Sequence, residues 1–201
     1  MVSYIKQLPD FQFMSQADGN YRHMGATLTD AVLQKGLDYQ KNVKPKVDYL
    51  QFNYPQAKTT SGFLRLMDEI PLPKLLKFKG DKPDLIRKLA EFFQEEGVET
   101  QEDLAQWLKD PKNRNRLMDF GGVKEKTVDY LAILVGLPGV AVDRHLRTFL
   151  KEAGIDEDDY YTIKRVIERA AALMGLESSI LDHSIWRYVS SRKNLTKKAK
   201  R

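Results

Sequence analysis

The amino-acid sequence predicts an all-α protein, and three observations lead to that prediction. Apolar residues recur at three- and four-residue spacing almost everywhere after residue 25, which is the periodicity of amphipathic helices. No segment alternates apolar and polar residues as a half-buried strand does, and no internal repeat of about 20–50 residues is visible. Because domains run to roughly 100–200 residues, a chain of 201 residues forms one domain or two small ones.

Capping residues mark where the helices of the first half begin. The candidate caps are Thr27 or Thr29 for a helix near 30–41, Thr59, Thr60 or Ser61 for one that precedes Pro71, Asp81 for a third and Thr100 for a fourth. Pro83 in the first turn and Gly97 at the end make the third helix the best signalled. Asp103, three residues after Thr100, completes a capping box.

The helical pattern continues through the second half. One helix is predicted to begin near Lys124, and another to be capped by Asp143 and to end at Gly154. A later helix follows the acidic run DEDD, and its predicted apolar face consists of Ile163, Val166, Ile167, Ala170, Leu173 and Met174.

Composition excludes several classes of protein and of active site. No apolar run approaches the roughly 18 residues of a membrane span, and the first residues, MVSYIKQLPDFQF, lack a secretory signal. We therefore expect an intracellular protein of the cytoplasm, nucleoid or nucleus that has no membrane partner. The absence of cysteine excludes disulfides, thiolate zinc sites, cysteine-ligated iron–sulfur clusters and a cysteine nucleophile. The three histidines show no metal-ligand spacing, so we expect neither a metal nor another cofactor.

Positive charge is concentrated at the C-terminus. The chain carries 33 basic and 28 acidic residues, but residues 192–201 hold six of the basic ones and no acid, which leaves −1 for the remainder. A basic tail attracts phosphates non-specifically, but a solvated, frayed end explains it equally well. Net charge alone therefore does not predict nucleic-acid binding.

Residues 120–155 carry the most informative pattern of the chain. Gly121 and Gly122 form a tight turn directly before the helix that begins near Lys124. Such a turn followed by a helix N-terminus exposes backbone N–H groups that bind an anion, for example a DNA phosphate. Taken by itself, a plain connection between two helices is the simpler explanation.

Lys126 and Asp143 are the candidate catalytic residues of this segment. The dipole of the predicted helix and the neighbouring Lys124 both disfavour the protonated form of Lys126, which is the condition that an amine nucleophile requires. A solvated surface lysine is the simpler interpretation of Lys126 alone. Helix capping explains Asp143, yet the same carboxylate can stabilise a developing cation or move a proton.

Both residues lie in motifs that resemble those of the helix-hairpin-helix DNA glycosylases of the endonuclease III superfamily. The family hairpin pattern L-P-G-V-G-x-K-T aligns without a gap with residues 120–127, FGGVKEKT. The family pattern A-V-D-x-H aligns with residues 141–145, AVDRH. The resemblance extends over about residues 25–190, and the missing four-cysteine cluster places the chain with the cluster-free branches.

The resemblance implies a base-excision repair enzyme that acts, as a monomer, on double-stranded DNA containing a damaged or mismatched base or an abasic site. Lys126 would be the Schiff-base nucleophile of a bifunctional glycosylase and AP lyase, and Asp143 the catalytic carboxylate. Lys124 replaces the second hairpin glycine, which loses backbone freedom but adds a cation. The residues implied at the DNA are Gly121, Gly122, Val123, Lys124, Thr127, Arg144 and His145.

Alternatives remain open for several of these residues. A solvated helix charge explains Arg144 equally well, and local hydrogen bonds explain His145 better than a DNA contact does. Loose alignment places the wedge that replaces a flipped base, or the base pocket, at Gln34, Lys35 and Tyr39. Asp182 and His183 are further pocket candidates, although a surface pair on the last helix is the simpler interpretation.

The resemblance also implies two helical subdomains with a DNA-binding cleft between them. Residues 25–137 would form a six-helix barrel that includes the hairpin at 120–127, and residues 1–24 with 138–191 the second subdomain. Residues 192–201 would be a flexible basic tail.

Two other functions remain open. A non-catalytic helix-hairpin-helix module would grip DNA or RNA without cutting it, and an α-helical adaptor would retain only the scaffold. The joint presence of Lys126 and Asp143 favours the enzyme, because neither binding nor scaffolding requires a nucleophile together with a carboxylate. Oxidised pyrimidines, oxidised guanine and mismatched thymine or uracil are all compatible substrates.

Overall fold

The computed structural model describes residues 1–15 and 19–198, with side chains up to Arg192. These residues form α-helices, two short helical turns and no β-strand, which confirms the predicted all-α fold. No described helix combines the length and the apolar character needed to cross a bilayer. The helices are α1 (Val2–Gln7), α2 (Met24–Leu33), α3 (Lys44–Asn53), α4 (Thr60–Glu69), α5 (Leu72–Leu75), α6 (Lys82–Glu95), α7 (Gln101–Trp107), α8 (Pro111–Met118), α9 (Glu125–Leu134), α10 (Arg144–Glu152), α11 (Tyr160–Leu173) and α12 (Ser178–Lys198).

The chain divides into two compact units. The central unit spans Gly19–Gly136 and contains α2 to α9, a π-helical turn at Tyr39–Val43 and a 3-10 turn at Pro55–Lys58. The terminal unit combines Met1–Asp18 with Leu137–Arg201 and contains α1 and α10 to α12. Beyond Arg192, the predicted basic tail lies outside the residues whose side chains the structure describes.

Helix α2 is the central helix of its unit. All ten of its residues are buried, and it packs against α3, α4, α6 and α9. In a helix buried on every side, most polar side chains find hydrogen-bond partners within the protein. Thr27 does so, since its hydroxyl donates to the His23 carbonyl at 3.0 Å and accepts from Gln101 Nε2 at 2.6 Å.

The structure corrects the predicted bounds and cap of this helix. It begins at Met24 and ends at Leu33, whereas the sequence predicted a helix near 30–41. His23 is the cap, because its Nδ1 accepts the N–H of Ala26 at 3.1 Å. Thr27 and Thr29, the predicted caps, are fully buried inside the helix. Histidine is not among the residues preferred at this position, so the capping rule pointed to the wrong residues.

The other predicted caps are present in the structure, with one exception. The Thr59 hydroxyl accepts the N–H of Gly62 at the start of α4, and Thr100 and Asp103 form the capping box of α7. Asp143 caps α10. Asp81 precedes α6 as predicted, but its side chain makes no capping hydrogen bond.

The core of the terminal unit lies among α1 and α10 to α12. Ile5 of α1 joins Leu146 and Phe149 of α10 in this core, and each of these side chains is buried. The predicted apolar face of α11 is wrong at Leu173, which is 63% exposed. At 100° per residue, Leu173 lies about 90° from the centre of the buried face, where packing against neighbouring helices ends.

Candidate functional site

The predicted hairpin is a glycine turn between α8 and α9. Gly122 has a φ of +94°, a conformation that favours glycine. A Cβ added to Gly122 would lie 3.2 Å from Leu85 Cδ2, so the turn also packs closely. Val123 anchors the turn with 4% exposure. Lys124 has a φ of −139°, extended backbone that any residue adopts, so lysine at this position does not disturb the turn.

Lys126 is the second residue of α9, and its side chain is half-buried. Its Nζ donates to the side-chain oxygen of Gln34 at 2.7 Å. Gln34 is the residue that ends α2, so this hydrogen bond joins the first turn of α9 to the end of α2. The exposed Lys35 reaches the same hairpin, where its Nζ donates to the Gly122 carbonyl at 3.4 Å. The structure thus brings the predicted residues of 34–35 and 120–127 together within the central unit.

A further lysine, Lys82 of α6, binds the α2 terminal turn (Val32–Lys35). Its Nζ donates to the carbonyls of Val32 at 3.3 Å, of Leu33 at 3.2 Å and of Lys35. Burial lowers the pKa of Lys82, repulsion from Lys35 and Lys126 lowers it further, and Asp81 opposes them. Nothing in the local sequence pattern distinguishes Lys82 from a solvated lysine, so the sequence predicted no role for it.

Asp30 lies on α2, one turn before Gln34, and its carboxylate accepts hydrogen bonds from three tyrosine hydroxyl groups. Asp30 is fully buried and accepts from Tyr21 at 2.6 Å and from Tyr39 and Tyr130 at 3.2 Å each. Burial raises the pKa of Tyr21 and Tyr130, and the charge of Asp30 raises both further. Tyr130 lies one turn after Lys126, so two successive polar contacts join α2 to α9.

Of this cluster, the sequence had singled out only Tyr39, as a wedge or pocket candidate. The structure places its half-buried ring at the start of the π-helical turn, with the hydroxyl bound to Asp30. The sequence signal that could have pointed to Asp30 is a charged residue in a helix that has no other charged side chain. The three tyrosines reach it from separate segments, so no local pattern connected them.

Asp143 of the terminal unit carries several hydrogen bonds. Its Oδ1 accepts the N–H groups of His145 at 2.7 Å and of Leu146 at 3.0 Å. Its Oδ2 lies 2.8 Å from the Nδ1 of His145, which donates to it. These donors and the N-terminus of α10 stabilise negative charge on the carboxylate.

The remaining predicted residues of this unit are His145, His183, Asp182 and Arg144, and of these His145 contacts the Asp143 carboxylate directly. His145 is 8% exposed and meets Trp186 edge to face at 5.9 Å. The ring of His183 stacks on that of Trp186, with ring centroids 5.7 Å apart. Asp182 is buried and its Oδ2 accepts the Ala141 N–H at 2.6 Å, which fixes the segment that leads to Asp143. Arg144 is exposed.

No metal centre emerges among the residues described. Within ranges 1–15 and 19–198, no three histidine, aspartate or glutamate side chains come together in a way that could hold an ion.

The fold has a counterpart among solved protein structures. The structure is similar to the crystal structure of H. pylori 3-methyladenine DNA glycosylase (MagIII) bound to 1,N6-ethenoadenine, with a TM-score of 0.55 and 14% sequence identity over 95% of this chain and 93% of that one. At that identity the likeness concerns the fold. No curated protein sequence matches the chain.

A family model described as a domain of unknown function, DUF8548, matches residues 76–190. This range includes α6 with Lys82, the hairpin with Lys126, and the Asp143 cap. The match spans more than half of the sequence, and the protein therefore belongs to the DUF8548 family.

Proposed function

We propose that the protein is a base-excision repair DNA glycosylase with AP lyase activity, in which Lys126 is the nucleophile. The observation that carries the proposal is an oriented amine: Lys126 Nζ lies just after the glycine turn, half-buried and 2.7 Å from Gln34 Oε1. A lysine that serves only solubility needs no such partner. The fold likeness to a 3-methyladenine DNA glycosylase supports the same function.

The hairpin supplies the proposed contact with DNA. The turn at Gly121 and Gly122 leads into the N-terminus of α9, where backbone N–H groups and the helix dipole favour a phosphate. Lys124 adds a cation at the same place. A phosphodiester held there positions the duplex while the target nucleotide leaves the base stack, at a cost of a few kcal/mol that damage or mispairing reduces.

Chemistry then takes place at the sugar of the extruded nucleotide. The uncharged Nζ of Lys126 attacks C1′, the bond from C1′ to the base breaks, and the base leaves with the electron pair and takes up a proton. The C1′–O4′ bond of the sugar ring then breaks, the proton lost from the amine is transferred to O4′, and an imine forms between Nζ and C1′. Removal of a C2′ proton then expels the 3′ phosphate, which cleaves the strand by β-elimination.

Asp143 supplies negative charge to this reaction. Positive charge develops on the sugar as the base departs, and a carboxylate held in advance by fixed donors stabilises that charge without reorganising. The N–H groups of His145 and Leu146 and the His145 ring are those donors. The same carboxylate assists proton transfer.

Borohydride trapping on abasic-site DNA tests the proposal, since borohydride reduces an imine to a stable amine. We expect the wild-type protein to form a covalent complex with the duplex. Lys126→Gln should abolish it, whereas Lys88→Gln, at an exposed lysine of α6, should leave it unchanged. Trapping that persists in Lys126→Gln would overturn the assignment.

A nicking assay on duplexes with single lesions identifies the substrate. The panel contains an oxidised pyrimidine, an oxidised guanine, and mismatched thymine or uracil, each assayed with and without alkali. Nicks that need no alkali would demonstrate lyase activity and name the excised base. Salt-sensitive DNA binding without product on any lesion would instead indicate a non-catalytic binding module.

A further inference from the structure

We propose that Lys82 is a positioning residue, which holds the α2 terminal turn so that Gln34 meets the amine of Lys126. The inference rests on the proposed function, because it names what orients the proposed nucleophile. All of these residues belong to the central unit.

Lys82 caps α2 from another helix. The last carbonyl groups of a helix have no partner within it, and a lysine ammonium both satisfies them and interacts favourably with the negative end of the dipole. The half-buried Lys82 Nζ donates to two such carbonyls, those of Val32 and Leu33, and to the carbonyl of Lys35 just beyond the helix. One side chain of α6 therefore closes the end of α2.

Gln34 lies inside the segment that Lys82 holds. Leu33 and Lys35, its two chain neighbours, both accept from the Lys82 ammonium, and its own N–H donates to the Asp30 carbonyl at 3.0 Å. With the backbone held on both sides, the Gln34 side chain meets Lys126 Nζ at 2.7 Å. Gly36 follows with a φ of +77°, so the chain turns away directly after the held segment.

The charges around the α2 terminal turn indicate that Lys82 has a role in the proposed reaction as well as in structure. Lys35 and Lys126 both repel the Lys82 ammonium, whereas Asp81 attracts it. The repulsion between the two ammonium groups is mutual, and a protonated amine cannot attack a carbon atom. Like charges close together weaken a contact that is purely structural. Their presence around Lys82 therefore favours a role in the proposed chemistry.

Single-turnover imine formation on an abasic duplex, trapped with borohydride at saturating protein, tests the proposal. Lys82→Met keeps the aliphatic stem and removes the donors, and we expect it to slow imine formation about ten- to a hundredfold. Affinity for the duplex should change less than about threefold, because Lys82 contacts protein carbonyls. Lys82→Arg should recover most of the rate, and Lys88→Met, on the same helix, should match wild type.

The route through Gln34 has its own test. If Lys82 acts through Gln34, the double variant Lys82→Met, Gln34→Ala should be less impaired than the product of the two single slowdowns predicts. Slowdowns that multiply fully would overturn this route, as would a wild-type rate in Lys82→Met. Lys82→Gln, which keeps one polar donor, replaces Lys82→Met in both tests if the latter does not fold.

Amide hydrogen exchange separates this inference from the proposed function. Lys82→Met should speed exchange at residues 33–36 and leave the amides of α10 unchanged. Unchanged exchange at residues 33–36 would contradict the proposed positioning role of Lys82, whether or not an imine forms. Absence of any imine in the wild-type protein would contradict the proposed function, and the exchange data would still test the role of Lys82.

Discussion

Lys126 donates a hydrogen bond to the side-chain oxygen of Gln34, 2.7 Å away, across 92 positions of sequence. The acceptor is a neutral amide, so it orients the amine without adding a negative charge that would hold the proton on it. Glutamine at this position therefore suits a nucleophile better than glutamate would.

Gln34→Glu tests that reasoning. The new carboxylate should favour the protonated form of Lys126, so borohydride trapping should need a higher pH and should fall about tenfold near neutrality. Gln34→Ala removes the acceptor without adding charge and should lower the rate without displacing the pH profile upward. Identical pH profiles for wild type and Gln34→Glu would contradict the assignment of Lys126 as the nucleophile.

Asp143→Asn separates helix capping from chemistry. Asparagine caps as well as aspartate, so the free energy of unfolding should change by about 1 kcal/mol or less. Loss of the negative charge should nevertheless lower the glycosylase rate on the order of a hundredfold. Asp159→Asn is the matched control, because Asp159 caps α11 by accepting the Thr162 N–H at 2.7 Å. Equal glycosylase rates of the Asp143→Asn and Asp159→Asn variants would show that Asp143 only caps its helix.

Gly62→Ala should destabilise the central unit. Replacing glycine with alanine inside a helix normally stabilises it by about 1 kcal/mol. At Gly62, however, the added Cβ would lie 1.9 Å from the Gln56 carbonyl oxygen, so the 3-10 turn must move. We expect a loss of about 1–3 kcal/mol in urea unfolding. Gly121→Ala, whose Cβ meets nothing within 4 Å, is the control. A stabilised Gly62→Ala would contradict the packing described.

His23 should make stability depend on pH near 6. Its Nδ1 accepts from Ala26 and its Nε2 donates to the Tyr54 carbonyl, so the ring is neutral, and burial lowers the pKa of His23. The unfolded chain therefore binds the proton more readily, and the stabilisation present above about pH 6.5 is lost as the pH falls below it.

His23→Asn provides the comparison for that pH dependence. Asparagine retains a capping oxygen but loses the bond to Tyr54, so the variant should be about 1–2 kcal/mol less stable than wild type at pH 8. The difference should narrow as the pH falls from 7 to 5, as measured by urea unfolding. A difference that stays constant over this range would show that His23 does not titrate on unfolding.

Part of the candidate site follows from local rules. The glycine turn, the start of α9 near Lys124 and the Asp143 cap each depend on residues a few positions apart, and the structure contains all three. The same kind of rule failed at α2, where a buried histidine made the cap in place of a threonine. That choice depends on the Tyr54 carbonyl, which lies 31 positions away.

The helical class, most of the caps and the positions of the amine and carboxylate that carry the proposed chemistry are all predictable from the amino-acid sequence. These follow from periodicity and from hydrogen bonds that span one turn of helix. The contacts between segments that are far apart in the chain depend instead on tertiary packing. Gln34, Lys82 and the tyrosines on Asp30 come from separate segments, and packing around the buried α2 brings them together. Such contacts depend on how helices pack, and one-dimensional patterns do not encode that packing locally.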